Sequence, residues 1–173
     1  MRRWAVIMGL GLLVTAVVPG CSDRLADMQE QLQGTWVLES RELPDGTSLR
    51  GAQISGVMSW VSIDSRKAHV TLNLLINKGA SGDRTFDYAA STYEISTSAV
   101  TRKRHLLIRQ GYRSSAEAPI TVYPKGKTAK GKISADGQSV RLSHEDGFTQ
   151  QFDGDTMVST YPDQFKDTWK RLR

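Results

Sequence analysis

The last third of this chain turns back on itself three times: Asp-Gly pairs stand at 136/137, 146/147 and 153/154. Asp-Gly between alternating apolar residues is a strong hairpin signal, because tight hairpin turns need a positive φ that glycine adopts freely. The pairs are spaced ten and seven residues apart. That leaves room for strands of about five residues and none for helices. Alternation then sets the expected register. With Asp136-Gly137 as a two-residue turn, Ala135 faces Gln138 and Ile133 faces Val140, so apolar side chains meet. A three-residue loop Glu145-Asp146-Gly147, with Gly147 left-handed, pairs His144 with Phe148 and Val140 with Phe152. A two-residue turn there would set Leu142 against Gln151 and Arg141 against Phe152, mixing the faces. At the third turn Met157 and Val158 both remain candidates for the inner face.

The same period of two runs upstream. In "HVTLNLLIN" (His69 to Asn77), Val70, Leu72, Leu74 and Ile76 share one face, and "VMSWVSI" (Val57 to Ile63) is its partner across "DSRK". Further strands are expected at "TWVLESRE" (Thr35 to Glu42), "STYEIS" (Ser91 to Ser96), "RHLLIRQGY" (Arg104 to Tyr112), "ITVY" (Ile120 to Tyr123) and the final "DTWKRLR". The expected fold is all-β: an antiparallel up-and-down meander of about 8–10 strands that closes into a barrel and so removes its edges. A β-sandwich is the alternative. Ahead of the strands, "SDRLADMQEQLQ" (Ser22 to Gln33) spaces Leu25, Met28 and Leu32 as a narrow helical stripe. Too short to stand alone, it reads as a helical tether capping one end of the β domain.

The chain opens with Met1-Arg2-Arg3 and an apolar run from Trp4 to Val18 of about 15 residues. A bilayer-spanning helix needs roughly 20. A basic start before a short apolar run is the layout of a secretory signal. The one cysteine, Cys21, stands just after this run, in "VPGC" (Val18 to Cys21). That tetrapeptide resembles the lipobox of bacterial lipoproteins. The resemblance implies cleavage before Cys21, a diacylglyceryl group on its thiol and an acylated amino group, and two or more acyl chains hold a protein stably to a membrane. It divides the chain into a signal peptide (1–20), a lipidated anchor and tether (21–33) and a barrel domain (34–173). It also implies an envelope location. With Ser22 after the cysteine, that is the periplasmic face of the outer membrane, or the plasma membrane in a host with one membrane.

"LQGTWVLES" (Leu32 to Ser40) resembles the Gly-x-Trp opening strand of lipocalins and bacterial lipocalin-like proteins. "STYEIS", "GKISADGQSVRLSHEDGFTQQFDGDTM" and "TWKRLR" resemble that family's later meander, and "TFDY" (Thr85 to Tyr88) stands close to its second signature, Thr-Asp-Tyr. The resemblance implies a lipocalin-like barrel with Trp36 plugging one end beneath a basic residue of the last strand. Arg171 is the better candidate for that clamp, with Arg173 behind it.

Candidate ligand-contacting residues are the aromatics expected to face inward, Trp60, Tyr93, Phe148 and Phe152. His144 joins them, since a polar ring among apolar residues can orient a ligand or simply be a satisfied structural histidine. Histidines 69, 105 and 144 lack paired spacing, which points to neither a metal nor a catalytic triad, and no cofactor is expected. "GKT" at 126–128 has Thr121 where a phosphate loop needs glycine. The net charge of +5 falls by two, to +3, without Arg2 and Arg3. That is too mild for nucleic acid, and no recognition motif accompanies it. Two basic clusters, "TRKRH" (Thr101 to His105) and "KGKTAKGK" (Lys125 to Lys132), are either solvated loops or contacts for anionic lipid head groups. The expected function is a lipid-anchored envelope protein whose barrel binds a small apolar or amphiphilic molecule without catalysis. The alternative is an envelope adaptor with a solidly packed barrel that binds a protein partner. A cavity of at least about 300 Å³ separates the two.

Overall fold

The computed structural model describes residues 21–77, 83–113, 116–117, 120–123 and 126–173. Residues 1–20, where a signal segment is expected, and Lys125 of the second basic cluster lie outside the described residues. Helix α1 (Cys21–Leu32) precedes strands β1 (Gly34–Glu42), β2 (Ser48–Arg50), β3 (Ile54–Asp64), β4 (Lys67–Asn77), β5 (Arg84–Ile95) and β6 (Ala99–Arg113). There follow β7 (Ala116–Glu117), β8 (Thr121–Tyr123), β9 (Thr128–Asp136), β10 (Ser139–His144), β11 (Thr149–Asp153), β12 (Thr156–Tyr161) and β13 (Phe165–Arg171). Ten of them close a ring in the order β1, β3, β4, β5, β6, β9, β10, β11, β12, β13, every neighbour antiparallel, with β13 returning to β1. The fold is a barrel, not a sandwich. Short β2 flanks the second half of β1, and β7 and β8 flank the second half of β6.

The Asp-Gly turns form with one correction. At the first, Asp136 pairs with Ser139 and Leu142 with Ile133, so the two loop residues are Gly137 and Gln138. Gly137 has φ +58 and Gln138 has no positive φ, the pattern of a type II′ turn with glycine first. The expected register, Ile133 facing Val140, is off by two residues. A shift of two leaves every side chain on its own face, so alternation alone does not resolve it. The second loop is the three-residue one. Gly147, at φ +84, donates its N–H to the His144 carbonyl, and Val140 pairs with Phe152. At the third, Phe152 pairs with Met157, which is fully buried while Val158 is not.

Two bulges shape the interior. β1 slips between Leu38 and Ser40, so Trp36 and Leu38 point inward and then Arg41 does, instead of Ser40. β6 slips against β5, pairing Leu106 with Ala90 and Arg104 with Ser91 and leaving His105 extra. Each extra residue reverses the in–out alternation beyond it. "TRKRH" is therefore strand, not loop: Arg102 and Arg104 lie on the inner side, Lys103 and His105 outside.

The helix closes one end. Leu25, Met28 and Leu32 are buried against the barrel, which holds the stripe that the isolated segment could not stabilise. Arg171 donates to the Gln31 carbonyl at 2.6 Å, and Gln31 donates to the Gly137 carbonyl at 3.3 Å, tying α1 across the starts and ends of several strands. Trp36, with no exposed surface, donates to the Leu32 carbonyl at 3.3 Å, and the Arg171 guanidinium lies 4.6 Å from its ring centre. Gly34 holds φ +136, a backbone conformation that glycine adopts without strain. That places the Gly-x-Trp turn into β1 directly above the helix.

Candidate functional site

The interior divides at mid-height. Below, toward α1, aromatic side chains fill the barrel. Phe152 stands edge-on between Trp36 (5.4 Å between ring centres) and Trp60 (5.5 Å), and Trp60 lies 4.4 Å from Tyr93. Above them a cavity of about 890 Å³ opens at the opposite end, inside the range of roughly 300–1,000 Å³ typical of ligand pockets. The barrel is therefore not packed solid, as the adaptor alternative expected. The cavity floor is Met58, Tyr93, Gln150 and Trp169; its apolar wall comes largely from β4, with Val70, Leu72, Leu74 and Ile76.

Polar groups at the floor are satisfied mostly by each other. The Tyr93 hydroxyl donates to Gln150 Oε1 at 3.4 Å, and Trp169 Nε1 donates to Ser159 Oγ at 3.0 Å. Gln150 turns its amide nitrogen toward the Met58 and Met157 sulfurs at 3.7 and 3.8 Å. Burial pushes the Tyr93 phenol above its ordinary pKa, so it stays a neutral donor.

Four arginines line the cavity, and three are held by aspartates. Arg41 makes a two-pronged pair with Asp167, both contacts 2.6 Å, and stacks 4.3 Å from the Phe165 ring centre. Burial raises the Asp167 pKa against the opposing pull of Arg41. Arg109 makes a second two-pronged pair with Asp87 at 2.7 and 2.8 Å nearer the mouth. Arg102 reaches Asp146, at the tip of the β10–β11 loop, at 2.6 Å and lies 4.9 Å from the Phe148 ring centre. The fourth, Arg104, is half-buried on the wall between these last two pairs and, among the described residues, forms no ion pair.

Of the residues expected to meet a ligand, Tyr93 and Phe148 line the cavity. Trp60 and Phe152 lie beneath its floor. His144 sits behind the lining, 5.9 Å from both the Tyr93 and Phe148 rings and stacked on the latter. It is 5 % exposed and neither ring nitrogen has a hydrogen-bond partner. Burial, helped by the Arg102 charge and opposed by Asp146, lowers its pKa from 6.5 to about 4. All five belong to one column of ring contacts that runs from Trp36 at the closed end to Tyr161 and Phe165 near the mouth.

Sequence spacing does not single out the arginine–aspartate pairs. Arg41 and Asp167 are 126 positions apart and meet only because β13 returns to β1. For Arg102 and Arg104 a signal exists: they share parity with apolar Val100, fully buried on the same strand. Cys21 is the first residue of α1, at the closed end. No protein-family model, curated protein or solved structure matches the chain.

Proposed function

We propose that this protein is a lipid-anchored envelope protein whose barrel binds a small apolar or amphiphilic molecule and releases it unchanged. The observation that carries the reading is the 890 Å³ cavity with an aliphatic β4 wall, open at the end of the barrel away from α1. A chain anchored through Cys21 would rest its closed end toward the membrane and keep the mouth accessible. Binding rather than conversion is favoured by the state of the carboxylates. Asp87, Asp146 and Asp167 are each engaged by an arginine, which leaves them poorly placed to take up or deliver a proton.

Two measurements test the two halves of the proposal. Titration of the full chain with N-phenyl-1-naphthylamine, a neutral apolar fluorophore, is expected to saturate near micromolar. A linear, non-saturating response would overturn the pocket. For the anchor, Cys21→Ser is expected to abolish incorporation of radioactive palmitate, and retained labelling would sink it.

A further inference from the structure

We infer that the ligand carries one anionic head group, and that Arg104 is the residue that receives it. This deepens the proposed function and rests on it. Of the four cavity arginines, Arg41, Arg102 and Arg109 have their charge met by Asp167, Asp146 and Asp87. A guanidinium offers five N–H donors in a planar fork that matches a carboxylate or phosphate. Arg41 and Arg109 each commit two of those donors to an aspartate, and Arg102 commits one to Asp146. Among the described residues, Arg104 is the cavity arginine whose charge no carboxylate meets. The remaining lining aspartate, Asp45, sits on the loop after β1 at the mouth and accepts the Thr47 N–H at 2.9 Å.

The backbone holds Arg104 in place from both sides. Its Cα pairs with Ser91 on β5, and its N–H donates to the Lys127 carbonyl at 3.1 Å. On that second side Gly126 comes so close that an added Cβ would overlap the Arg104 carbonyl oxygen, so only glycine permits the approach. The bulge at His105 follows directly and switches the next inward residue to Leu107. Arg104 thus projects from a fixed point on the wall, with Leu72 and Leu74 of β4 also bounding the same space. An apolar tail on β4 and an acid on Arg104 belong to one molecule: an anionic amphiphile such as an alkyl carboxylate or alkyl phosphate.

The test uses two probes with one ring skeleton, 1-anilinonaphthalene-8-sulfonate and N-phenyl-1-naphthylamine, which differ by the sulfonate. Each is titrated into the full chain held in neutral nanodiscs, read by energy transfer from the tryptophans beneath the cavity. The sulfonate probe is expected to bind at least about tenfold tighter, the scale of one hydrogen-bonded charge contact. Arg104→Gln should remove that preference, bringing the sulfonate probe to the neutral probe's affinity for the same variant, Arg104→Lys should keep part of it, and the outward Lys103→Gln should keep all of it. Equal affinity for both probes on the unaltered chain overturns the inference and leaves the pocket standing, with no variant needed. An equal loss in Lys103→Gln also overturns it, since the effect would then be general charge. Failure of both probes to bind overturns the pocket and the inference together. Dodecanoate and dodecyl phosphate should each displace the sulfonate probe, their ranking separating carboxylate from phosphate. Displacement by dodecanol as effective as theirs counts against the anionic head.

Discussion

The two halves of this barrel are built on the same strands and the same alternation, yet their interiors differ in kind. In the half beside α1 the inward positions carry Trp36, Trp60, Phe152 and Val140, all essentially without exposed surface. In the half away from it the inward positions carry aliphatic residues of β4 that stop short of the centre, together with arginines. A charged side chain on the inward face is tolerable there because aspartates meet three of the four and the mouth admits water. The closed half supplies packed core, and the open half leaves its wall facing the cavity.

That contrast predicts unequal costs for removing a side chain. Phe152→Ala deletes a ring clamped between two tryptophans and should cost about 3–5 kcal/mol, the range for aromatic truncation in a tight core. Leu72→Ala, on the half-buried cavity wall, should cost about 1 kcal/mol or less, since the atoms it loses face open space on one side. Urea denaturation of both variants checks this. Similar costs would mean that the upper half closes in solution and that the two halves are not distinct.

The same contrast explains how much is legible in the residues alone. Strands, the barrel, the second hairpin and the helical stripe of Leu25, Met28 and Leu32 follow from period and glycine placement, which are local properties. Arg171 over Trp36 is a contact between the last strand and the first, set by barrel closure. The upper half resists, for two reasons. Bulges at Glu39 and His105 reverse the alternation just where Arg41, Leu107 and Arg109 turn inward. And whether large residues fill a barrel depends on where along its axis they cluster: Trp60 and Phe152 fall on one level and leave the next empty. Neither is written in a pattern of residue types.

His144 lies on the boundary between the halves, and its charge state probes how dry that boundary is. Its pKa in the folded protein is about 4, against 6.5 when solvated. The unfolded chain therefore binds the proton more readily between those values, and stability rises with pH across this window. The contribution is fully present above about pH 6.5 and is lost as the pH falls toward 4. Its size is roughly 2 to 3 kcal/mol. His144→Leu should lose less stability than the unaltered chain between pH 7 and 4.5, by a comparable margin in urea unfolding. Identical pH profiles would mean that water reaches the ring and that the packed half ends lower than Tyr93.

The smallest effect on stability sharpens the comparison most. Leu72→Trp adds a large ring to the cavity wall, where about 890 Å³ stands open. In a filled core such an insertion costs typically about 1–3 kcal/mol, because neighbours are forced off their rotamers. Here the ring has space to enter, and burying apolar surface that was half-exposed offsets its lost rotamer freedom. The unfolding free energy from urea denaturation should therefore change by about 0.5 kcal/mol or less, the range of an ordinary surface substitution. Binding should move far more, because the indole occupies the volume beside β4 that an apolar tail would take. Saturable uptake of N-phenyl-1-naphthylamine should fall at least about tenfold, equal to 1.4 kcal/mol. A variant that keeps wild-type uptake shows that the probe sits elsewhere than the β4 wall. One that instead loses stability on the scale of Phe152→Ala shows that the wall has no room, and that both halves are packed alike.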